Sequence, residues 1–174
     1  MLHAARHPLL FLCIAILITA CAGSPGADRP TITRPAPDPI TISATFDTGL
    51  TATVTVPPGG GSLSVTGGDG TDYVLVIPDG ALLETATLSM TPLSMLSGAP
   101  VEGRAHAVLL EPAGLRLYRA ATLTITTADG ETGGAIGFAA GADGSEFHLL
   151  PPLATEADGS VSVAVPHFSQ HGAF

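Results

Sequence analysis

The stretch "YVLVIPDGALLETATLSM", residues 73–90, contains the pattern that decides the fold of this chain. The run Tyr73–Ile77 is apolar throughout and has the length of a β-strand, which predicts a central strand covered on both faces. Pro78 withholds a backbone N–H from a sheet ladder, and Gly80 permits a sharp reversal. The strand is therefore expected to end in a turn, after which the next two apolar residues re-enter the core.

Alternation with a period of two residues recurs on both sides of this stretch. In "TATVTV", Thr51–Val56, threonines alternate with apolar residues, which predicts a half-buried strand whose threonine face points to water. Similar runs lie at residues 42–46, 63–65, 88–90, 123–125 and 161–165. Their spacing predicts an all-β antiparallel β-sandwich of about eight or nine strands over residues 41–174. Only "SMLSG", Ser94–Gly98, is expected to form a helical turn.

Five Asp-Gly pairs punctuate these runs, and each is expected to close a tight hairpin. Asp tolerates the left-handed backbone conformation and Gly adopts it freely, so this dipeptide suits the turns that join antiparallel strands. The pairs are Asp69-Gly70, Asp79-Gly80, Asp129-Gly130, Asp143-Gly144 and Asp158-Gly159.

Residues 1–20 have the features of a bacterial secretion signal. Arg6 precedes the apolar run 9–20, which is shorter than the roughly 20 apolar residues of a spanning helix but fits a signal peptide. The run ends in "ITAC", which resembles the lipobox of bacterial lipoproteins. The resemblance implies cleavage between Ala20 and Cys21 and acylation of Cys21, with palmitate among the acyl chains, so that the protein is anchored in a lipid bilayer. An ordinary secretion signal with a chance cysteine is the alternative.

Residues 21–40 predict a lipid-anchored tether, because Pro, Gly and Ser dominate and large apolar residues are nearly lacking. An irregular arm packed on the domain is the alternative. Ala22, in place of Asp, resembles lipoproteins that are sent to the outer membrane, facing the periplasm or the cell surface. Cys13 leaves with the signal and Cys21 is lipidated, so the mature domain is expected to be stable without a disulfide.

Charge and motifs exclude several classes of function. The net charge of −9 disfavours nucleic acid and anionic lipid surfaces, so membrane attachment must be covalent or hydrophobic. No cofactor is expected, because "GGGS", Gly59–Ser62, lacks the lysine of a phosphate loop. No metal is expected either: "DGTD", Asp69–Asp72, lacks EF-hand spacing, and His106 and His148 can meet only through folding. A hydrolase built on carboxylates paired in space stays open.

Three sequence blocks, in this order, resemble the ZU-five domain, the β-sandwich named after zonula occludens proteins, netrin receptors and ankyrins. The first is an Ile-Pro-x-Gly-Ala turn at Ile77–Ala81, followed by a Thr-rich strand. The second, "LLEPAGLRLYRAATLTITT", covers Leu109–Thr127, and the third, "GSVSVAVPHFSQHGAF", covers Gly159–Phe174. The resemblance implies a sandwich that presents a binding or structural surface to a protein or glycan of the cell envelope.

The C-terminal "VPHFSQHGAF", Val165–Phe174, carries one candidate reaction. In some members of the resembled family a His-Phe-Ser triplet marks autoproteolysis, which implies His167 as the base and Ser169 as the nucleophile against the Phe168 carbonyl. Alternate residues of a strand share a face, so His167 and Ser169 can approach the same side. In the alternative, Phe168 fills the core of a last strand while His167 and Ser169 face outward or hydrogen-bond across an edge. His171 is expected about 13 Å from His167 along that strand, too far to share a metal ion.

Overall fold

The computed structural model describes residues 40–130 and 136–174. The chain divides into two units, Met1–Ala36 and Pro37–Phe174, and every described residue belongs to the second. The predicted signal peptide, residues 1–20, and the predicted tether, residues 21–40, lie outside the described residues apart from Ile40. The described part is all-β, and its two antiparallel sheets form a β-sandwich, which confirms the predicted fold class.

Twelve strands and one short 3₁₀ helix, Thr48–Leu50, make up the described part. The strands are β1 Ser43–Phe46, β2 Ala52–Val56, β3 Gly61–Thr66, β4 Asp72–Ile77, β5 Ala86–Ser97, β6 His106–Glu111, β7 Arg116–Thr126, β8 Gly137–Ala140, β9 His148–Leu150, β10 Ala154–Thr155, β11 Val161–His167 and β12 Gln170–Ala173. A seven-stranded sheet has the order β1-β5-β6-β12-β8-β9, with β2 also paired to β5. The second sheet has five strands in the order β10-β11-β7-β4-β3.

The predicted strand count and the predicted helical turn were both wrong. The described residues form twelve strands, because the C-terminal segment divides between two sheets and short edge strands such as β10 extend them. Residues 94–97 continue β5, where Ser97 pairs with Ser43 of β1. Pairing along a sheet edge therefore overrides the weak local preference of this short run.

Strand β4 has only one covered face, so the prediction of two was wrong. Tyr73, Leu75 and Ile77 are buried, whereas Val74 is 37% and Val76 is 47% exposed. On the open face Val74 pairs with Ser64 of β3 and Thr124 of β7. Valine has a high strand propensity on either face of a sheet, so a continuous apolar run does not by itself indicate a covering layer.

The main core lies between the two sheets, and the predicted alternation supplies it. Most inward residues of the predicted strands are buried, as are the two residues after Gly80: Val56, Leu63, Leu75, Ala81, Leu82, Leu88, Met90, Leu123, Ile125, Val161, Val163 and Val165. Ala52, Val54 and Val65 are only partly buried. A second cluster contains Ile42, Ala107, Phe138, Ala140 and Phe147, with Phe174 packed against it. Because Ala107 and Val108 are adjacent in β6 and belong to different clusters, the second cluster lies on the opposite face of the seven-stranded sheet.

In all five Asp-Gly pairs the glycine adopts the predicted left-handed conformation and the aspartate does not, and only three pairs close hairpins. The five glycines have φ between 69° and 82°. Asp69-Gly70, Asp143-Gly144 and Asp158-Gly159 join the hairpins β3–β4, β8–β9 and β10–β11. Asp79-Gly80 and Asp129-Gly130 instead follow strands whose successors lie in the other sheet. A tight turn thus predicts a reversal of the chain without deciding which sheet receives it.

Candidate functional site

The C-terminal segment crosses from one sheet to the other, so the prediction of a single last strand was wrong. β11 ends at His167 in the five-stranded sheet, and β12 begins at Gln170 between β6 and β8 of the seven-stranded sheet. Phe168 and Ser169 form the crossing. The candidate triplet therefore sits where the backbone changes direction, and its side chains do not follow the alternation of one strand.

Three backbone hydrogen bonds hold the crossing against β6 and its connection to β7. The Phe168 N–H donates to the Leu115 carbonyl (2.8 Å), and the Gly114 N–H donates to the Phe168 carbonyl (2.8 Å). The Leu110 N–H donates to the Ser169 carbonyl (2.9 Å). The Phe168 side chain is fully buried, in agreement with the expectation that it fills the core.

The hydroxyl of Ser169 lies beside His171. Ser169 Oγ is 3.0 Å from His171 Nε2, and that nitrogen is 3.0 Å from the main-chain carbonyl oxygen of His167. The expectation that Ser169 faces outward was wrong, because Ser169 is only 5% exposed. The rings of His167 and His171 have centroids 5.8 Å apart, well below the expected separation, because the chain turns at Phe168.

His171 is a buried, neutral histidine. Burial lowers its pKa to about 4, the hydrogen bond with the His167 carbonyl acts in the opposite direction, and the charge of His167 adds to the lowering. Its Nδ1 has no hydrogen-bond partner among the described residues. A proton on Nε2 can be donated to the His167 carbonyl, whereas a proton on Nδ1 would be a buried donor without a partner. We therefore assign the Nε2–H tautomer.

The arrangement around Ser169 contains most parts of an acyl shift. Ser169 supplies a hydroxyl, His171 a ring nitrogen within hydrogen-bond distance of it, and Gly114 an N–H on the carbonyl that would be attacked. In the assigned tautomer Nε2 carries its own proton and cannot accept one from Ser169. The one Nε2–H lies within hydrogen-bond distance of both the His167 carbonyl and Ser169 Oγ, and these contacts order the crossing.

A second cluster of ionisable groups surrounds Asp69 in the turn between β3 and β4. Asp69 Oδ2 lies 3.2 Å from Arg104 and 3.3 Å from His106 Nδ1, and Thr71 Oγ1 lies 2.9 Å from that same nitrogen. Partial burial raises the pKa of Asp69, but hydrogen bonds from Thr71 and the charges of His106 and Arg104 outweigh it, so the pKa is lowered. Burial is the main cause that lowers the pKa of His106.

This cluster is not a catalytic triad. A nucleophile and an acid must bind opposite ring nitrogens of the central histidine, whereas Thr71 and Asp69 share His106 Nδ1. The predicted tight hairpin at Asp69–Asp72 is closed by a bond from the Gly67 N–H to the Thr71 carbonyl (2.8 Å). The cluster therefore fixes this turn and holds Arg104 beside it.

An open cleft of about 530 Å³ lies where β5 and β6 part. One wall is the end of β5, Leu93–Ser97, and the other is the returning segment 98–105. Asp47, Asp69 and Arg104 lie at its rim, and Phe174 contributes to its apolar floor. No sequence pattern predicted the cleft, because its walls come together only in the folded sheet.

The remaining predictions concern the membrane and metals. Ala20 and Cys21, the predicted cleavage and lipidation positions, lie outside the described residues. In the ranges 40–130 and 136–174 there is no helix that is long and apolar enough to cross a membrane. The same ranges contain no group of three His, Cys, Asp or Glu residues that could hold a metal ion.

No family model matches the chain, and no curated protein matches it. The resemblance to the ZU-five domain thus stays a prediction.

Two residues of the site, His171 and Gly114, were not predicted from the sequence. His171 follows Ser169 by two residues, and His167 precedes it by two. The spacing therefore indicated both histidines, but only the one before the serine was interpreted as the base. Gly114 carried no such signal, because it meets Phe168 only through folding.

Proposed function

We propose that this chain is a lipid-anchored protein of a bacterial cell envelope, whose ZU-five-like β-sandwich binds a protein or glycan partner. The open cleft is the observation that carries the binding role. It has a volume of about 530 Å³ and opens at the protein surface between β5 and the segment 98–105. Its apolar floor and charged rim supply both contact area and orientation.

The anchor rests on sequence. A basic residue, a short apolar run and two small residues precede Cys21 in the order that lipoprotein signals require. Each acyl methylene contributes about 0.8 kcal/mol to membrane binding, so two or three chains hold firmly where one does not. The Pro-rich residues 21–40 then separate the sandwich from the bilayer.

Acyl labelling of the full chain in a bacterial host tests the anchor. Wild type should incorporate an alkyne-tagged palmitate, and Cys21→Ala should lose the label and keep its signal peptide. Cys13→Ala is the matched control, because that cysteine lies within the signal and its loss should leave labelling intact. Normal labelling of the Cys21→Ala protein would refute the anchor.

Crosslinking in native envelopes tests the binding role. Wild type should capture a protein or glycan that Met95→Ala, at the cleft, fails to retain. Leu83→Ala is the control, because Leu83 is similarly exposed (72%, against 62% for Met95) and precedes the opposite end of β5. Equal capture by both variants would contradict a role for the cleft.

Self-processing between Phe168 and Ser169 is a second candidate function. It is favoured by the 3.0 Å approach of Ser169 Oγ to His171 Nε2 and by the Gly114 N–H on the Phe168 carbonyl. In this reaction Ser169 Oγ bonds to the Phe168 carbonyl carbon, and the bond to the Ser169 nitrogen breaks. The hydroxyl proton passes through the other His171 tautomer to that nitrogen, and water then hydrolyses the ester.

Intact-mass measurement after prolonged incubation tests self-processing. Cleavage should remove Ser169–Phe174 from the chain, and Ser169→Ala should abolish the cut. His171→Gln should abolish it as well, whereas His167→Gln should not, because the Ser169 hydroxyl lies beside the His171 ring. A single species that retains Phe174 would rule the reaction out.

A further inference from the structure

We propose that the cleft between β5 and the segment 98–105 binds an extended polypeptide, which adds a strand along the free edge of β5. The proposal rests on the proposed role of the sandwich as a binding module and names the kind of partner. The bound segment carries apolar side chains at alternate positions and a basic residue near Asp47.

The first support is the point at which the ladder between β5 and β6 ends. The two strands pair from Ser89–Glu111 to Pro92–Val108. β5 then continues to Ser97 with β1 along its other edge. Its free edge is thus about five residues long, roughly 16 Å, which is a common strand length.

The second support is the set of residues that line the cleft. Leu93, Ser94, Met95, Leu96 and Ser97 all line it. The β1–β5 register skips Ser94 at an irregularity, so the regular alternation of side chains is interrupted inside this run. The cleft follows the whole length of β5 that is not paired with β6.

The opposite wall also offers backbone groups. In the described part of the chain, residues 99–105 make no backbone–backbone hydrogen bond. Strand edges whose N–H and C=O groups lack partners are the surfaces on which peptides add as a further strand. A segment placed between the two walls can bond to β5 on one side and to this wall on the other.

The floor and the rim define the side chains of the occupant. The partly buried residues Leu93, Leu96, Ala99, Ala105 and Phe174 border the second core and give the cleft an apolar floor. At the rim Arg104 is bound to Asp69, whereas Asp47 makes no ion pair among the described residues. The rim thus has an excess negative charge, which complements a Lys or Arg of the partner.

Fluorescence polarisation with a labelled peptide, Arg-Val-Thr-Val-Thr-Val, tests the proposal on the lipidated full chain in detergent micelles. The peptide should bind, and the same peptide methylated on alternate backbone nitrogens should bind at least about tenfold more weakly, because its strand hydrogen bonds are lost. Hydrogen exchange should show protection of residues 93–105 when the unmethylated peptide is present.

Two pairs of variants separate the apolar and the charge contributions. Met95→Ala should weaken binding about three- to tenfold through lost apolar contact, whereas Leu83→Ala should not. Asp47→Asn should weaken it about two- to fivefold at low salt, and less as added salt screens the charge. Asn can still accept the hydrogen bond from the Gly49 N–H that Asp47 accepts. Glu84→Gln, beyond the opposite end of β5, is the charge control.

Several outcomes would overturn the proposal. These are the absence of binding at millimolar peptide, protection confined to other strands, equal binding of the methylated peptide, or equal effects of Met95→Ala and Leu83→Ala. Protection of the same residues by a neutral chitin oligosaccharide, without peptide binding, would replace the peptide by a glycan and leave the proposed function standing. The lipid anchor is tested independently of peptide binding, by acyl labelling.

Discussion

Acidification is expected to destabilise the sandwich through His171. Burial lowers the pKa of this histidine from 6.5 to about 4, so the unfolded chain takes up a proton that the folded protein excludes. Above pH 6.5 His171 is neutral in both the folded and the unfolded chain, and the folded state loses no stability through it. As the pH falls below 6.5 the free energy of unfolding decreases, and this loss is complete near pH 4. His106, whose pKa burial also lowers, acts in the same direction.

The magnitude follows from the two pKa values. A difference of one pKa unit corresponds to about 1.4 kcal/mol, so His171 removes about 2 kcal/mol of folding free energy at about pH 5 and about 3 kcal/mol in the acid limit. Asp69, Asp143 and Asp158 have pKa values below the ordinary 3.8, so their contributions are lost only at lower pH. The interval between pH 4 and 6.5 therefore isolates the histidines.

Urea denaturation at near-neutral and mildly acidic pH measures this loss. His171→Gln should flatten the pH dependence by about 2 kcal/mol relative to wild type. His148→Gln is the control, because it removes an exposed histidine outside the buried cluster and should leave the wild-type profile. NMR titration of the His171 ring in wild type provides a second measurement. A folded-state pKa near 6.5 would refute the assignment of His171 as a buried neutral group.

The remaining predictions concern packing and are all measured by denaturation. Gly172→Ala should lower the free energy of unfolding by about 2–4 kcal/mol, because the added Cβ would lie within 2.5 Å of backbone and Cβ atoms of β6. Gly59→Ala is the control, because open space surrounds Gly59 and the free energy of unfolding should change little. Phe168→Ala should cost about 3–5 kcal/mol, because its ring is fully buried. Leu75→Thr should destabilise strongly, but Val76→Thr should stay within about 0.5 kcal/mol because Val76 is on the open face. Equal effects in the last pair would contradict the one-sided burial of β4.

The candidate reaction was predictable in part. The triplet His167–Ser169 located the Ser hydroxyl, and the structure places a histidine ring on it, but the ring is that of His171. Spacing along the chain cannot decide between two histidines on either side of a serine when the backbone changes direction between them. The donor Gly114 lies in another block of the sequence, so only the folded contact identifies it.

Sequence alone determined seven of the twelve described strands and, except in β4, their inward faces, because side chains alternate along a strand whatever its neighbours are. Val161, Val163 and Val165 are buried as their alternation predicts, and all five Asp-Gly turns have the expected glycine conformation. Only the tertiary structure decided which sheet each strand joins, where the tail crosses, and where β5 and β6 part. Those features depend on hydrogen bonds and packing between residues far apart in the chain, which a local pattern does not encode.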